Sequence, residues 1–277
     1  MNRHIRKVAI IGSGVMGSRI ACHFANIGCE VELLDIVPSE LNGPEKKKEV
    51  SIDSDQFKNR IVNEALTSSL NSNPSPIYRK SFASRIRTGN LTDDLARIKD
   101  CDWIIEVVIE RLDIKQQVFE NIEKHRTPGT LITTNTSGIP INLMLEGRSN
   151  DFKKHFCGSH FFNPPRYLQL LEIIPSEETD SEVIDFLMDY GQRFLGKKTV
   201  FCKDTPAFIA NRVGVYSIMS LFHAVEEMGL TVEEVDKLSG PILGRPKSAT
   251  FRTCDVVGLD TLVHVANGLE DNCPDDE

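Results

Sequence analysis

His160 and Glu172 are the residues whose types and surroundings best suit acid–base chemistry. His160 ends a predicted strand, directly before Phe161-Phe162-Asn163 and two prolines that force a turn. An isolated histidine is often a core residue whose hydrogen bonds are satisfied. Glu172, however, interrupts the apolar strand Leu170–Ile174, where an unpaired carboxylate would be costly. A nearby histidine would supply the partner, so the two side chains are predicted to form a base oriented by a carboxylate.

Three further polar side chains occupy positions where a polar contact is expected. Asn135 and Ser137 follow the predicted strand Leu131–Thr134 and could hydrogen-bond a substrate oxygen. Capping of the next helix would also explain Ser137. Asn211 lies inside a predicted helix, where asparagine is a mediocre residue, and this indicates a polar contact.

Glu110 and Lys115 form a possible charge pair after another predicted strand, Trp103–Val108. Lys115 comes five residues after Glu110. A surface ion pair is the simpler explanation of the two, and exposed pairs contribute little to stability.

The segment Gly12-Ser13-Gly14-Val15-Met16-Gly17 joins a predicted strand, Lys7–Ile11, to a predicted helix. Gly12 permits the tight turn, Gly14 lets the backbone approach a pyrophosphate, and Gly17 lets the helix pack closely on the strand. Helix N–H groups would then bind the phosphates. Asp35 lies 18 residues after Gly17, where a carboxylate binds ribose hydroxyls and repels a 2′-phosphate. We therefore expect NAD rather than NADP; a strand–turn–helix without ligand is the alternative.

The elements that must position these residues alternate between strand and helix over about the first two hundred positions. This order predicts a Rossmann-type, mainly parallel sheet covered by helices. Helical spacing of apolar residues predicts helices around 114–122 and 183–194, and another over 57–70. The predicted strands are Lys7–Ile11, Val31–Leu34, Trp103–Val108, Leu131–Thr134, Gly158–Phe161, Leu170–Ile174 and Thr199–Phe201.

After Asp204 the pattern becomes helical. Thr205-Pro206 is typical of a helix start, and Gly229 can end a helix that runs to Met228. Thr231-Val232-Glu233-Glu234 fits a capping box, and a third helix is predicted over 255–269. We expect a Rossmann-type domain over 1–203 and a smaller, incomplete all-helical domain over 204–277.

Composition narrows the function classes. The net charge of −8 disfavours nucleic-acid binding. Seven cysteines without a C-x-x-C pair argue for a reducing compartment and against disulfides or a zinc site. No apolar run is long enough to span a membrane, and Val8–Ile11 is too short for a signal peptide. A cytoplasmic protein is expected.

Taken together, these segments resemble the 3-hydroxyacyl-CoA dehydrogenase family over nearly the whole chain. The order and spacing of the matching segments are more specific than any single motif. The segments are Gly12–Gly17, Asp35, Glu106–Glu110 with Lys115, Asn135-Thr136-Ser137, His160–Pro164, Glu172 and Phe208–Arg212.

The resemblance implies oxidation of (3S)-3-hydroxyacyl-CoA to 3-ketoacyl-CoA with NAD, as in fatty-acid β-oxidation. His160 would take the proton of the 3-hydroxyl and Glu172 would orient His160. Ser137 and Asn211 would hold the substrate oxygen. The expected cofactor-binding residues are Gly12, Gly14, Val15, Met16, Gly17, Asp35, Glu110, Lys115, Asn135, Ser137 and Asn163.

Two parts of the chain bear on substrate and partners. In this family a helical hairpin contacts CoA. The corresponding segment, Pro38–Arg87, is long and polar here and does not show which residues bind CoA; Lys58 is a candidate. Gly244–Thr253 looks like the subgroup in which the dehydrogenase is fused to an enoyl-CoA hydratase region. The chain stops soon after Val257–Asp260, so we expect part of a larger protein, with homodimerisation through the helical domain implied by the family.

Two other functions fit the same residues. A dehydrogenase of a small hydroxy acid would share the Gly12–Gly17 segment. A non-catalytic NAD-binding module would keep the glycine-rich turn but would catalyse no reaction. Retention of His160, Glu172 and Asn211 favours the hydroxyacyl enzyme over both.

Overall fold

The computed structural model describes residues 3–273 of the chain. The chain divides into two compact units, Met1–Asp204 and Thr205–Glu277. Among the described residues, none of the helices combines the length and apolar character that crossing a membrane requires.

The first unit is built on one eight-stranded sheet with the strand order β3-β2-β1-β4-β5-β6-β7-β8. Neighbouring strands are parallel except for β6 and β7, which pair antiparallel. The strand order reverses direction at β1, and ligands of such sheets bind outside the carboxyl ends of the strands at this point. The strands are β1 Lys7–Ile11, β2 Glu30–Asp35, β3 Ile86–Asn90, β4 Trp103–Glu106, β5 Leu131–Thr134, β6 Phe156–Phe161, β7 Leu170–Pro175 and β8 Lys198–Phe201.

The prediction of a mainly parallel Rossmann-type sheet is confirmed, although the sequence did not indicate β3. That strand reads Ile-Arg-Thr-Gly-Asn and forms one edge of the sheet, so it lacks both an apolar run and a regular alternation. It pairs with β2 in a register that places Asn90 beside Asp35.

Helices cover the sheet of the first unit. The predicted helix over 57–70 is wrong in one respect, because Asn59 separates two helices. Ser54 caps the first of them by accepting a hydrogen bond from the Phe57 N–H. The helices are α1 Val15–Asn26, α2 Gly43–Lys47, α3 Asp55–Lys58, α4 Arg60–Leu70, α5 Leu112–His125, α6 Asn150–Lys154 and α7 Ser181–Arg193.

Trp103 on β4 packs against two of these helices. Its indole packs edge-on against Phe24 of α1, with ring centroids 5.3 Å apart, and against Tyr190 of α7 at 5.9 Å. The indole N–H donates to the Thr133 hydroxyl at 3.0 Å, so the buried polar atom is satisfied. This core holds the strands whose carboxyl ends carry the candidate site.

The second unit is helical, with α8 Ala210–Met228, α9 Val232–Ser239, α10 Phe251–Val257 and α11 Leu259–Asn272. Gly229 ends α8 in a left-handed conformation, and the capping box of Thr231 and Glu234 begins α9, as predicted.

Two predictions for this unit are wrong. α8 begins at Ala210 rather than at Pro206, because Ala207 and Phe208 have positive φ angles of 57° and 50°. Gly258, with φ 98°, divides the predicted helix over 255–269 between α10 and α11.

Candidate active site

The glycine-rich turn has the conformation that a dinucleotide requires. Gly12 has a φ of 100°, and a Cβ on it would lie 2.6 Å from the Val107 carbonyl oxygen. A Cβ on Gly17 would collide with the Gly12 carbonyl, whereas a Cβ on Gly14 would face open space. No side chain caps α1, so its first N–H groups can bind an anion. The turn therefore fits a pyrophosphate at Gly14.

Asp35 lies at the end of β2 beside this turn. Its Oδ2 accepts hydrogen bonds from the Ser13 N–H at 2.6 Å and the Ser13 hydroxyl at 2.5 Å, while Oδ1 accepts from the Ile36 N–H at 2.7 Å. A carboxylate has about four acceptor positions, so ribose hydroxyls can still bind. Ser13 fixes this carboxylate and was not predicted from the sequence.

His160 and Glu172 are paired, as predicted. They face each other directly in the antiparallel register of β6 and β7. The His160 Nδ1 lies 2.8 Å from the Glu172 Oε2, and the two residues are 4% and 1% exposed. Because a carboxylate accepts, Nδ1 carries the proton and Nε2 is the basic nitrogen. The arrangement is that of a general base held by a buried carboxylate.

Asn135 and Glu110 order the loops around this pair. The Asn135 side-chain oxygen accepts from the Phe161 N–H at 2.9 Å and so fixes the end of β6. Oε1 of Glu110 accepts from the Thr136 hydroxyl at 2.5 Å and from the N–H groups of Ser137 and Gly138 at 2.8 and 3.1 Å. Burial raises the pKa of Glu110, but Lys115 and these hydrogen bonds outweigh burial and leave it below its usual value.

Comparison of the sequence with known protein families agrees with this geometry over nearly the whole chain. Residues 7–205 match the NAD-binding domain of 3-hydroxyacyl-CoA dehydrogenase, and residues 208–277 match its C-terminal domain. This chain belongs to the 3-hydroxyacyl-CoA dehydrogenase family.

Individual relatives agree with the family match. A Bacillus subtilis protein named "Probable 3-hydroxyacyl-CoA dehydrogenase" is 50% identical over 100% of this chain and 35% of its own length. A Rickettsia felis protein is 36% identical over 97% of this chain and 35% of its own length; its name describes a trifunctional enzyme of a fatty acid oxidation complex. This chain therefore spans about a third of either relative.

Among solved structures, (S)-3-hydroxybutyryl-CoA dehydrogenase PaaH1 from Ralstonia eutropha superposes with a TM-score of 0.74 at 25% identity. The match covers 97% of this chain and 88% of that one. The likeness to a dehydrogenase thus extends over both units of the chain.

The position of Lys115 corrects the simpler explanation of the pair that it forms with Glu110. It is 1% exposed, and its ammonium donates to the Glu106 carboxylate at 2.8 and 3.0 Å. Glu110 Oε2 lies 3.4 Å away. The interpretation as a surface ion pair is therefore wrong, because the Lys115 side chain is buried and its ammonium contacts Glu110 from inside the protein. The sequence analysis assigned no role to Glu106, although it interrupts the predicted strand Trp103–Val108 as Glu172 interrupts Leu170–Ile174.

Asn163 lies in the connection after β6, and its side-chain oxygen accepts from Arg19 Nη1 at 2.5 Å. Arg19 belongs to α1, so this bond joins the glycine-rich segment to the segment that follows His160. Arg19 was not predicted from the sequence, because an arginine on an amphipathic helix is ordinarily a solvated residue.

Two predicted contacts with the substrate, those of Asn211 and Lys58, stay predictions. Asn211 lies in the first turn of α8, in the second unit. Lys58, the candidate CoA contact, pairs with Asp93 at 3.0 Å. Among the side chains that the structure describes, no group of three or more histidine, cysteine or acidic residues could hold a metal ion.

Proposed function

We propose that this chain catalyses the NAD-dependent oxidation of (3S)-3-hydroxyacyl-CoA to 3-ketoacyl-CoA, and the reverse reduction, as a step of fatty-acid β-oxidation. The buried His160–Glu172 pair carries this proposal. It places a base with a defined tautomer at the same edge of the sheet as the dinucleotide turn. The Ralstonia and Rickettsia relatives support the substrate class and the pathway.

In the proposed reaction, His160 Nε2 takes the proton of the 3-hydroxyl as the C3–O bond becomes a carbonyl. Glu172 holds the Nδ1 proton and stabilises the imidazolium that forms. Ser137 would hold the substrate oxygen, and the family resemblance implies the same role for Asn211. When bound, NAD supplies the acceptor for the hydride that leaves C3. In the reverse direction the imidazolium returns the proton to the oxygen.

The NAD site is proposed to comprise the turn and the loops around it. Gly14, Val15, Met16 and Gly17 would bind the pyrophosphate through backbone N–H groups, while Gly12, whose N–H donates to the Leu34 carbonyl, would form the tight turn of the site. Asp35 would bind the adenosine ribose and disfavour NADP through charge repulsion. Ser137, Asn135, Asn163 and Glu110 would line the remainder, with Lys115 acting through Glu110.

Activity assays with the purified chain test the proposal. We expect oxidation of NADH with acetoacetyl-CoA, little with free acetoacetate, and little oxidation of NADPH with either. Faster turnover of free acetoacetate would favour a small hydroxy acid as substrate. NAD binding without turnover of any 3-ketoacyl-CoA would favour a non-catalytic module.

The longer protein, its oligomeric state and its cellular compartment are also proposed. Because the chain spans 35% of the Bacillus relative, we propose that it is part of a longer protein that includes an enoyl-CoA hydratase region. Homodimerisation through the helical unit is proposed from the family, and sedimentation of the full-length protein would test it. The seven cysteines are all free and buried, which supports a reducing cytoplasm.

A further inference from the structure

Lys197 is a buried cation between α7 and β8. It is 5% exposed, and its ammonium donates to the Leu168 carbonyl at 2.7 Å and to the Pro165 carbonyl. No salt bridge among the described residues includes Lys197. A buried ammonium without a carboxylate is unfavourable, and burial lowers the pKa of Lys197 to about 8. An apolar residue would avoid this penalty, so the position calls for another explanation.

The two carbonyls belong to the connection between β6 and β7, residues 162–169. This connection joins His160 to Glu172, and the strand pairing resumes on either side of it with Phe161 opposite Leu171. The register of a hairpin depends on its connection, and eight residues are long for one. A contact that fixes this connection therefore contributes to the offset at which the two strands pair.

Other residues also hydrogen-bond along or from the connection. Lys198 N–H donates to the Gln169 carbonyl at 2.7 Å, and Arg166 donates to the Ser75 carbonyl at 2.7 Å. Lys197 contacts it from the buried side, with the ammonium 5.8 Å from the centre of the Phe161 ring. It thus lies next to the residue that follows the proposed base.

The titratable groups near Lys197 do not supply a carboxylate with which its ammonium could form an ion pair. Nε2 of His23, on α1, lies 3.0 Å from the Leu195 carbonyl, so this ring donates from Nε2. Burial and the Lys197 charge lower the pKa of His23 to about 4, which keeps the ring neutral. Arg166 is the other cation whose field reaches this region. Carbonyl dipoles are thus the groups that the ammonium binds.

We propose that Lys197 is a positioning residue for the His160–Glu172 pair. Its ammonium binds the Pro165 and Leu168 carbonyls, holds the β6–β7 connection closed, and so keeps the imidazole opposite its carboxylate and Asn163 at the cofactor side. Lys197 acts through this connection and does not touch the substrate. The proposal rests on the proposed function for its kinetic readout only.

Lys197→Met tests this directly, because methionine fills the space without charge or donors. We expect kcat with acetoacetyl-CoA to fall roughly ten- to a hundredfold, since small misplacements of reacting groups have effects of this order. Thermal stability should stay close to wild type or rise, as replacement of a buried charge by an apolar side chain permits. Lys198→Met, at the exposed neighbouring position, is the matched control and should keep wild-type kcat.

Chemical rescue separates positioning from general damage. In Lys197→Ala, added propylamine or butylamine should restore part of kcat with saturation, whereas tetramethylammonium at equal ionic strength should not. Wild-type kcat in Lys197→Met would overturn the proposal. A loss of activity in Lys197→Met and Lys197→Ala that amines do not rescue would overturn the proposal as well, because it would indicate that the side chain acts only through packing.

A readout independent of turnover keeps this test separate from that of the enzymatic function. Nitrogen-15 histidine NMR, assigned with His160→Gln, reports the Nδ1 proton shared with Glu172. We expect this signal to broaden or shift in Lys197→Met and not in Lys198→Met. An unchanged signal overturns the positioning role even if the wild-type chain turns over no substrate; an inactive wild type with the expected spectral change would overturn the proposed function alone.

Discussion

His23 allows a pH dependence of stability to be worked out from the structure. The ring is 3% exposed on α1, and its Nδ1 has no hydrogen-bond partner among the described residues. Burial, reinforced by the charge of Lys197, lowers its pKa from 6.5 to about 4. Between these values the unfolded chain binds a proton that the folded chain does not, so stability falls as the pH falls. At pH 5 the loss amounts to about 2 kcal/mol.

His23→Gln removes this titration and keeps an N–H donor for the Leu195 carbonyl. For a unit of this size, about 2 kcal/mol corresponds to a change in Tm of roughly 4–8 °C. We therefore expect the Tm of the wild type to fall between pH 7 and pH 5 by about that much more than the Tm of His23→Gln. His125→Gln, at an exposed position, serves as control. Equal pH dependence of wild type and His23→Gln, measured by differential scanning calorimetry, would refute the buried neutral ring.

Two further predictions concern the proposed chemistry. Glu172→Gln leaves the ring without a carboxylate to stabilise its imidazolium, so kcat should fall by about a hundredfold or more while the NAD dissociation constant, from a fluorescence titration, stays within about twofold; retention of most of kcat would contradict the pairing. Asp35→Asn removes the charge that repels a 2′-phosphate, so the ratio of kcat/KM for NADPH to that for NADH should rise by about tenfold or more; an unchanged ratio would show that Asp35 does not select the cofactor.

The local signals in the sequence predicted the dinucleotide turn and the strands well. Gly12 and Gly17 are at positions where the backbone leaves no room for a side chain, and such positions are visible as residue types. His160 was predicted at a strand end and Glu172 within an apolar strand, and the cost of a buried carboxylate indicated that the two pair. Their direct opposition depends on the antiparallel register of β6 and β7, which the sequence alone does not specify.

Three of the misses have a common physical cause, because they depend on contacts between separate elements of the fold. Glu106 pairs with Lys115 across the end of β4 and the start of α5, and Arg19 reaches Asn163 from another element. Ser13 acts on Asp35 from the neighbouring strand end. The start of α8 was misplaced because Ala207 and Phe208 adopt a left-handed conformation that neither residue type favours.

The most direct test of the central claim is the turnover of His160→Ala with acetoacetyl-CoA and NADH, with NAD binding measured on the same preparation. The account predicts that turnover falls by a thousandfold or so, to a rate set by binding and positioning alone, while NAD binds as in the wild type. Turnover close to that of the wild type would contradict the assignment of His160 as the base that moves the substrate proton.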